Sequence, residues 1–436
     1  MKINVHDIIG SGKLKGALLR VFLVCFLIGV CDGYCMYIFG VTGVSIRESL
    51  GFTAVQQGVI NSYATWGMTF ASAVVGLIAD KIGRKRVLVF SVICYSLCTA
   101  LTGFATEMWQ FAIVRFLSGF GMAGIVPVGV ATTSEYSPSK NRPMLCTLVA
   151  MGVSLGMLFA GLFAMWMLPV VSSWRVLYYI AFIPLVVAIA ALTLPESMHI
   201  LVKNNKRTEI EKVLTSCNDE FKADPANEYV TTSAPAVQKA PWTQIFAKET
   251  RRNTIAVWIM YFCNMAIIYG AGTWLPGIMA GAGYSVATGI LLFVVFSTGS
   301  MIFSPIGGKL VDKFGYKKVM VVDYAITVVS LCLFGLSADN MALSIILIFF
   351  AGAASNSCQT IIQPFTGHFY DLSTRTTGIS WGVTMGRLGS AVAPIVLGFL
   401  VAANVPIQID FFGVAAMAVI AGIACLSTKE PAVKKM

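Results

Sequence analysis

The sequence predicts an all-α membrane protein in which twelve transmembrane helices form two pseudo-symmetric six-helix bundles. Hydrophobic residues make up 57% of the 436 positions and charged residues only 12%, about half the charged share of an ordinary soluble domain. Apolar runs of about 20 residues, the length that crosses a bilayer, recur along the chain. A basic loop motif also occurs twice, which indicates an internal duplication.

The repeated loop separates the second predicted span from the third, and the eighth from the ninth. Its first copy reads G-L-I-A-D-K-I-G-R-K-R at residues 76–86, and its second reads G-K-L-V-D-K-F-G-Y-K-K at residues 308–318. The two aspartates, Asp80 and Asp312, are 312 − 80 = 232 residues apart, close to half of the 436 residues. Two related halves that meet at a central cleft are typical of a secondary transporter.

The apolar runs give the order of the elements. Residues 1–17 are polar and basic, without a cleavage site after a short apolar core, and predict a cytoplasmic tail. The predicted spans are 18–44, 56–79, 87–105, 110–134, 144–168 and 175–194 in the first half, and 252–278, 287–311, 318–337, 341–363, 377–401 and 407–427 in the second. Residues 195–250 lose the apolar periodicity, which predicts a cytosolic linker. The expected domains are therefore the tail, a bundle at 18–194, the linker, a bundle at 251–428 and a cytoplasmic tail at 429–436.

The net charge of +11, from 31 Lys and Arg against 20 Asp and Glu, could suggest a nucleic-acid partner. The basic residues instead lie in short loops beside apolar runs, which is the positive-inside pattern. This pattern predicts a multi-pass protein of the plasma (inner) membrane with both termini in the cytoplasm, with the lipid bilayer and no nucleic acid as a partner.

The cysteine and histidine residues do not suggest a metal centre or another cofactor. The eleven cysteines include no C-x-x-C pair, and the three histidines all fall in predicted tails or loops. Small apolar filling of the core is the more common use of scattered cysteines.

The loop motif favours a gating role. Asp80 can face the positive N-terminal end of a neighbouring helix, while Arg84, Lys85 and Arg86 stay with water and lipid phosphates. Such an exposed contact contributes about 0.3–1 kcal/mol, enough to bias two conformations without locking either. A simple topology anchor is the alternative. The candidate gating residues are Gly76, Asp80, Gly83, Arg84, Lys85, Asp312 and Gly315.

Four charges lie within the predicted spans or at their ends: Asp32, Arg115, Glu135 and Arg387. Charges at this depth are costly and mark transport pathways. Asp32 is a candidate proton carrier, if motion changes its distance to a cation, or a carboxylate bonded permanently to backbone or arginine. Glu135 is a second proton candidate, although its place at a helix end near Arg84 favours a gate salt bridge. The two membrane arginines can bind a carboxylate bidentately, and an internal structural bond is the alternative for Arg115.

The tenth span is too polar to face lipid, so it is expected to line a cavity. Aromatic and amide side chains on other spans suit a flat apolar ring with one polar group, although many such residues belong to interface belts or to packing. Besides Arg115 and Arg387, the candidates for substrate contact are Tyr34, Tyr37, Asn61, Trp66, Tyr261, Asn264, Tyr269, Asn356, Gln359, Gln363 and Trp381.

The repeated loop resembles the signature of the major facilitator superfamily, G-x-x-x-D-(R/K)-x-G-(R/K)-(R/K). The first copy matches at every position, and the second has Tyr316 where a basic residue is usual. Three further stretches are similar to the aromatic acid:proton symporter family within it: residues 115–138, Trp274-Leu275-Pro276 with Gly283, and residues 375–394. The resemblance implies the major facilitator fold and the uptake of aromatic carboxylates, such as benzoates, together with protons.

The chain departs from that family in its first helix. The family motif is D-G-(F/Y)-D, whereas this sequence reads Asp32-Gly33-Tyr34-Cys35. Asp32 is therefore left without the second acid of the motif, and the resemblance does not fix the coupling stoichiometry.

These observations predict a monomeric secondary active transporter, not an enzyme, for proton-coupled uptake of a small aromatic or related organic acid by alternating access. The alternatives are an exporter, a carrier of neutral or cationic small molecules, and a membrane sensor that binds without net flux. An integral-membrane enzyme is disfavoured because the sequence shows no nucleophile–base set, metal cluster or phosphate loop.

Overall fold

The structure is a computed structural model that describes residues 2–171, 173–218, 221, 223–224, 227–231, 242–248, 250–337 and 340–429. Within these ranges, the side chains of residues 73–74, 76–77, 79–81, 242 and 372–373 lie outside the description. Eleven helices of the described chain are long and apolar enough to cross a membrane. The helix Ala54–Ile82, with 29 residues, lies where the second span was predicted. The twelve-helix fold class predicted from the sequence is confirmed.

We number the membrane helices from first to twelfth in chain order. The first six are Gly16–Leu50, Ala54–Ile82, Arg84–Thr102, Met108–Met122 continued by Ile125–Glu135, Arg142–Val171, and Arg175–Tyr179 continued through the 3-10 turn Ile180–Phe182 into Ile183–Leu192. The second six are Arg251–Gly281, Val286–Phe314, Tyr316–Leu336, Met341–Gly367, Leu372–Ala402 and Ile407–Ser427.

The tail and the linker contain short elements of their own. They are the strands Lys2–Asn4 and Glu228–Val230, the helices Val5–Ser11, Met198–Lys203 and Arg207–Cys217, and the 3-10 turn Trp242–Phe246. The two strands pair in parallel, and Lys13 N donates to Cys217 O at 3.0 Å. Tail and linker are thus joined on the side where the first helix begins, which we call the linker side.

The repeated loop breaks two helices in the same way. Gly83, between the second and third helices, has φ 106° and ψ 146°. Gly315, between the eighth and ninth, has φ 83° and ψ 155°. Side chains other than hydrogen are strained at such positive φ angles. The last glycine of each motif copy therefore provides the backbone turn that starts a new helix.

Matched glycine pairs repeat the packing of one half in the other. A Cβ atom added at Gly119 would lie 1.8 Å from Ala64 O, where the fourth helix crosses the second, and one at Gly352 would lie 2.2 Å from Phe296 O, where the tenth crosses the eighth. The reciprocal glycines are Gly67 and Gly299, and 299 − 67 = 232 residues, the same offset as between the loop motifs. Small residues allow helix backbones to approach closely in a membrane.

The first and fifth helices also touch through glycine. A Cβ atom at Gly156 would lie 2.0 Å from Val30 O, and one at Gly33 would lie 2.1 Å from Val153 O. Because neither backbone can yield without separating the helices, no larger residue fits at these two positions.

The Gly156→Ala variant is expected to lower thermal stability, because the added methyl group forces the first and fifth helices apart. Overpacking of this kind typically costs about 1–3 kcal/mol. The matched control is Gly413→Ala on the twelfth helix, where an added Cβ atom would meet nothing within 4 Å. Unfolding temperatures of both variants in detergent, read by tryptophan fluorescence, make the comparison. Equal temperatures for the two variants would contradict this packing.

The two bundles meet on the side remote from the linker. A Cβ atom at Gly58 would lie 2.5 Å from Pro394 O, between the second and eleventh helices, and one at Gly40 would lie 2.9 Å from Thr273, between the first and seventh. Asn61 Nδ2 adds a hydrogen bond of 2.8 Å to Thr273 Oγ1. These contacts close the cleft between the bundles at its far end.

Candidate functional site

Asp32 and Arg387 come from opposite bundles and lie near each other. Asp32, on the first helix, is 4% exposed, and its Oδ1 is buried without a hydrogen-bond partner. Arg387, on the eleventh helix, donates from Nη1 to Met68 Sδ at 2.8 Å, while its buried Nε is without a partner. The two groups interact electrostatically, yet these described side chains do not form a direct ion pair. An incompletely satisfied charge pair inside a membrane protein marks a functional site.

An aromatic wall lies beside this charge pair. Tyr37 stacks on Tyr269 with ring centroids 5.7 Å apart and an interplanar angle of 19°, and it approaches Phe293 at 6.3 Å. Tyr37 is also within electrostatic range of both Asp32 and Arg387. The first, seventh and eighth helices thus present aromatic rings next to a cation, which suits a flat aromatic anion.

The predicted amides form hydrogen-bonded groups in the C-terminal bundle. Asn264 Nδ2 donates to Gln359 Oε1 at 2.7 Å, which leaves Asn264 Oδ1 buried without a partner. Asn356 Nδ2 donates to Ser300 Oγ at 2.6 Å. Gln363, one turn further towards the linker side, is exposed. The polar face of the tenth helix therefore continues from buried amides to an exposed end, and Asn264 retains an acceptor for a hydroxyl donor.

Arg115 and Tyr34 lie inside the N-terminal bundle instead. Tyr34 Oη donates to Leu177 O at 2.7 Å on the sixth helix. Arg115 is fully buried, its guanidinium carbon is 4.9 Å from the centroid of the Phe39 ring, and its three guanidinium nitrogens have no hydrogen-bond partner among the described residues. Cys35, the residue that stands where the related family has an acid, is within electrostatic range of Arg115. The structure therefore separates Arg115 from the wall formed by Tyr37.

Three predicted aromatic residues also lie in other surroundings. Trp381 approaches Trp258 at 5.9 Å, which in turn meets Phe246 of the 3-10 turn before the seventh helix. Tyr261 is 1% exposed, and its ring lies 2.6 Å from the position of a Cβ atom added at Gly382. Trp66 approaches the exposed Phe70 at 6.5 Å. Trp381 and Tyr261 thus contribute to packing of the seventh helix against the eleventh.

Glu135 joins the first loop motif to the start of the linker. Its Oε2 accepts from Arg84 Nη1 at 2.7 Å, and both of its oxygens accept from Ser197 Oγ at 3.0 Å. Glu196 accepts from the Lys85 backbone N at 3.3 Å, and Tyr136 Oη donates to the Glu196 backbone O. The third and fourth helices and the chain after the sixth are thereby tied together at the linker side.

The other gating candidates differ between the two loop copies. The side chains of Gly76 and Asp80 lie outside the described part of the structure. In the second copy Asp312 is exposed, and Lys317 Nζ donates to Thr428 O at 2.7 Å at the end of the twelfth helix.

The comparisons with known proteins agree with this architecture. A family model described as Major Facilitator Superfamily matches residues 25–293 and 257–435. This chain belongs to the major facilitator superfamily. It is 33% identical over 426 residues to the benzoate transport protein of Acinetobacter baylyi, covering 96% of this chain and 91% of that one. It is also 29% identical over 408 residues to the gentisate transporter of Corynebacterium glutamicum, covering 93% and 86%.

A solved structure shows the same fold. The crystal structure of a D-xylose-proton symporter superposes with a TM-score of 0.74 at 16% identity, covering 96% of this chain and 99% of that chain. The chain is thus a multi-pass membrane transporter and not an enzyme, as the sequence predicted. The resemblance to the aromatic acid:proton symporter family is also confirmed by relatives named as carriers of aromatic acids.

Sequence reasoning missed several side chains in this member of the superfamily. Asp323 on the ninth helix and Asp410 on the twelfth are buried, at 7% and 3% exposure, and each has a carboxylate oxygen without a partner. A single acid within an apolar run was the available signal, the same signal that singled out Asp32. Met68 and Phe293 had no such signal, because apolar residues are ordinary in any membrane helix.

Replacing Arg84 by alanine is expected to destabilise this transporter by roughly 1–3 kcal/mol, because the Glu135 side chain, 7% exposed, would lose its charged donor. Adding Glu135→Gln removes the unpaired charge, so the double variant is expected to recover most of the loss. Lys206→Ala is the matched control, since its pair with Glu209 is 54% and 51% exposed and such pairs contribute little. Unfolding temperatures of the four proteins decide the point, and an uncorrected loss in the double variant would contradict it.

Proposed function

We propose that this chain takes up small aromatic carboxylates together with protons by alternating access, as a monomer in the plasma (inner) membrane. The observation that carries the proposal is the pair Asp32 and Arg387, which comes from opposite bundles beside stacked aromatic rings. A carrier needs its site at the interface of the two halves, because the relative motion of the halves exposes that site to each side in turn.

Arg387 is the proposed anchor for the substrate carboxylate. Its Nε is unpartnered and its Nη1 is bonded only to the weak acceptor Met68 Sδ, so a carboxylate gains charge-assisted hydrogen bonds that the sulfur does not supply. The aromatic ring of the substrate packs beside Tyr37 and Tyr269. A ring hydroxyl donates to Asn264 Oδ1, the acceptor that remains free in the amide pair.

Asp32 is the proposed proton carrier. When a substrate carboxylate binds Arg387, the cation near Asp32 is neutralised and a second negative charge comes close. Both changes favour the protonated form of Asp32. Substrate and proton therefore enter together as a neutral pair, and neutrality lowers the cost of moving them through the low-dielectric interior.

The proposed gates lie at the two ends of the cleft. With the linker side in the cytoplasm, as the basic loops favour, the contacts of Gly58 and Gly40 close the outer end. The network of Glu135, Arg84 and the loop motif then lies at the cytoplasmic end, where it stabilises one arrangement of the N-terminal helices. In this assignment Glu135 acts as a gate and not as a second proton carrier.

The substrate class is tested by counterflow in proteoliposomes. Vesicles loaded with unlabelled benzoate are diluted into labelled benzoate, and the transient entry of label is measured without any imposed gradient. Competition by hydroxybenzoates, aliphatic acids and benzamide then ranks the ligands. We expect aromatic carboxylates to compete and neutral benzamide to fail. Entry inhibited equally by benzamide would favour a carrier of neutral compounds, and tight binding without any counterflow would favour a sensor.

A further inference from the structure

A groove on the lipid-facing surface lies far from the proposed substrate site. It runs between the start of the seventh helix and the end of the twelfth, with a volume of about 570 Å³. The lining residues are Lys248, Arg251, Arg252, Ile255, Ala256 and Ile259 on one side and Ile420, Ile423, Ala424 and Ser427 on the other.

The groove is basic at one end and apolar along the rest. Arg251 and Arg252 occupy the first turn of the seventh helix, and Lys248 precedes it, so the cations lie at the linker side. The isoleucines lie deeper in the membrane, and Ile255 and Ile423 are 47% and 62% exposed. From residue 252 to residue 259 the helix rises about 10 Å, which gives the length of the apolar part.

The cations of the groove lack partners of opposite charge. All three are exposed, and none pairs with a carboxylate of the residues that the structure describes; the neighbouring Glu249 is outside them. The groove is also held in place, because Asn253 Nδ2 donates to Lys429 O at 2.9 Å and Lys429 N donates back to Asn253 Oδ1 at 2.9 Å. These two bonds join the end of the twelfth helix to the start of the seventh.

We infer that this groove binds an anionic glycerophospholipid from the leaflet on the linker side. The lipid phosphate lies against Lys248, Arg251 and Arg252, and one acyl chain follows the isoleucines. Charge complementarity selects this occupant, since three cations at the headgroup level attract a negative headgroup. The apolar floor below them excludes a free inorganic anion as the natural ligand, because such an anion would leave the isoleucine surface uncovered.

The inference is tested by lipid retention of the full-length protein in detergent, measured by native mass spectrometry with phosphatidylglycerol and phosphatidylcholine as probes. We expect phosphatidylglycerol to be retained in preference to phosphatidylcholine. The double variant R251Q/R252Q is expected to retain phosphatidylglycerol roughly twenty-fold more weakly, from the loss of two headgroup cations. The matched control K309Q/K318Q removes two exposed lysines at the linker-side ends of other helices and is expected to bind as the parent protein does.

A second variant separates a lipid from a free phosphate. I255S/I423S leaves the cations in place but removes exposed apolar surface, so it is expected to weaken phosphatidylglycerol retention and to leave competition by inorganic phosphate unchanged. Equal retention of both lipids, an equal loss in the lysine control, or unaltered retention by I255S/I423S would each overturn the inference. None of these measurements depends on transport, so they stand or fall separately from the proposed function.

Discussion

Replacing Arg387 by alanine is expected to abolish the binding and uptake of aromatic carboxylates while the protein still folds. Truncating one partner of a buried charge pair costs about 2–5 kcal/mol, which is at least a thirty-fold loss of affinity at 1.4 kcal/mol per tenfold. Folding is expected to persist, because the guanidinium bonds only to Met68 Sδ and releases no tightly paired carboxylate. Arg387→Lys is expected to recover part of the affinity, since a lysine keeps the charge but loses the bidentate geometry.

The matched control for this experiment is Arg375→Ala on the same helix, where the side chain is exposed near the linker-side end. Affinity is measured with labelled benzoate by scintillation proximity on purified protein. Counterflow on the same preparations reports transport. An Arg387→Ala protein with the parent dissociation constant would remove this arginine from the binding site.

Replacing Asp32 by asparagine is expected to separate exchange from coupling. Asparagine has nearly the same shape but carries no titratable proton, so counterflow of benzoate should continue while a pH gradient no longer drives accumulation. For a coupled carrier, one pH unit contributes about 1.4 kcal/mol, or a tenfold concentration ratio. The steady-state ratio in Asp32→Asn is therefore expected to fall from about ten to about one under that gradient.

Two other buried acids provide controls for this variant. Asp323→Asn and Asp410→Asn each remove a carboxylate that is buried with one unpartnered oxygen, but both lie on the ninth and twelfth helices of the C-terminal bundle. Both are expected to retain accumulation driven by the pH gradient. If either control loses coupling while Asp32→Asn keeps it, the proton carrier has been assigned to the wrong acid.

The fold could be predicted because each of its signals is local or periodic. Membrane spans follow from apolar runs, and the duplication follows from a loop motif repeated at 232 residues. The structure adds that the glycine pairs Gly67 with Gly119 and Gly299 with Gly352 keep this spacing. Glycines at helix crossings need no side-chain partner to be specified, so their role is encoded in the sequence itself.

The candidate site could be predicted only in part, because a polar residue in a span does not say which neighbour its side chain will face. Tyr34 and Tyr37 are three residues apart on one helix, yet Tyr34 bonds to the sixth helix and Tyr37 stacks on the seventh. Arg115 and Arg387 likewise looked equivalent in sequence, and only packing directs Arg115 into the N-terminal bundle. The contact of Glu135 with Arg84 was accessible from helix length, whereas that with Ser197 depends on how the chain folds back after the sixth helix.

The most direct test of proton-coupled carboxylate uptake imposes the two driving forces separately. Proteoliposomes are given either a pH gradient at zero membrane potential or a potassium diffusion potential at equal pH, and benzoate accumulation is measured after subtraction of protein-free vesicles. An electroneutral pair of one carboxylate and one proton predicts accumulation with the pH gradient and none with the potential. Accumulation driven by the potential alone, or by neither force in a protein that shows counterflow, would contradict the account.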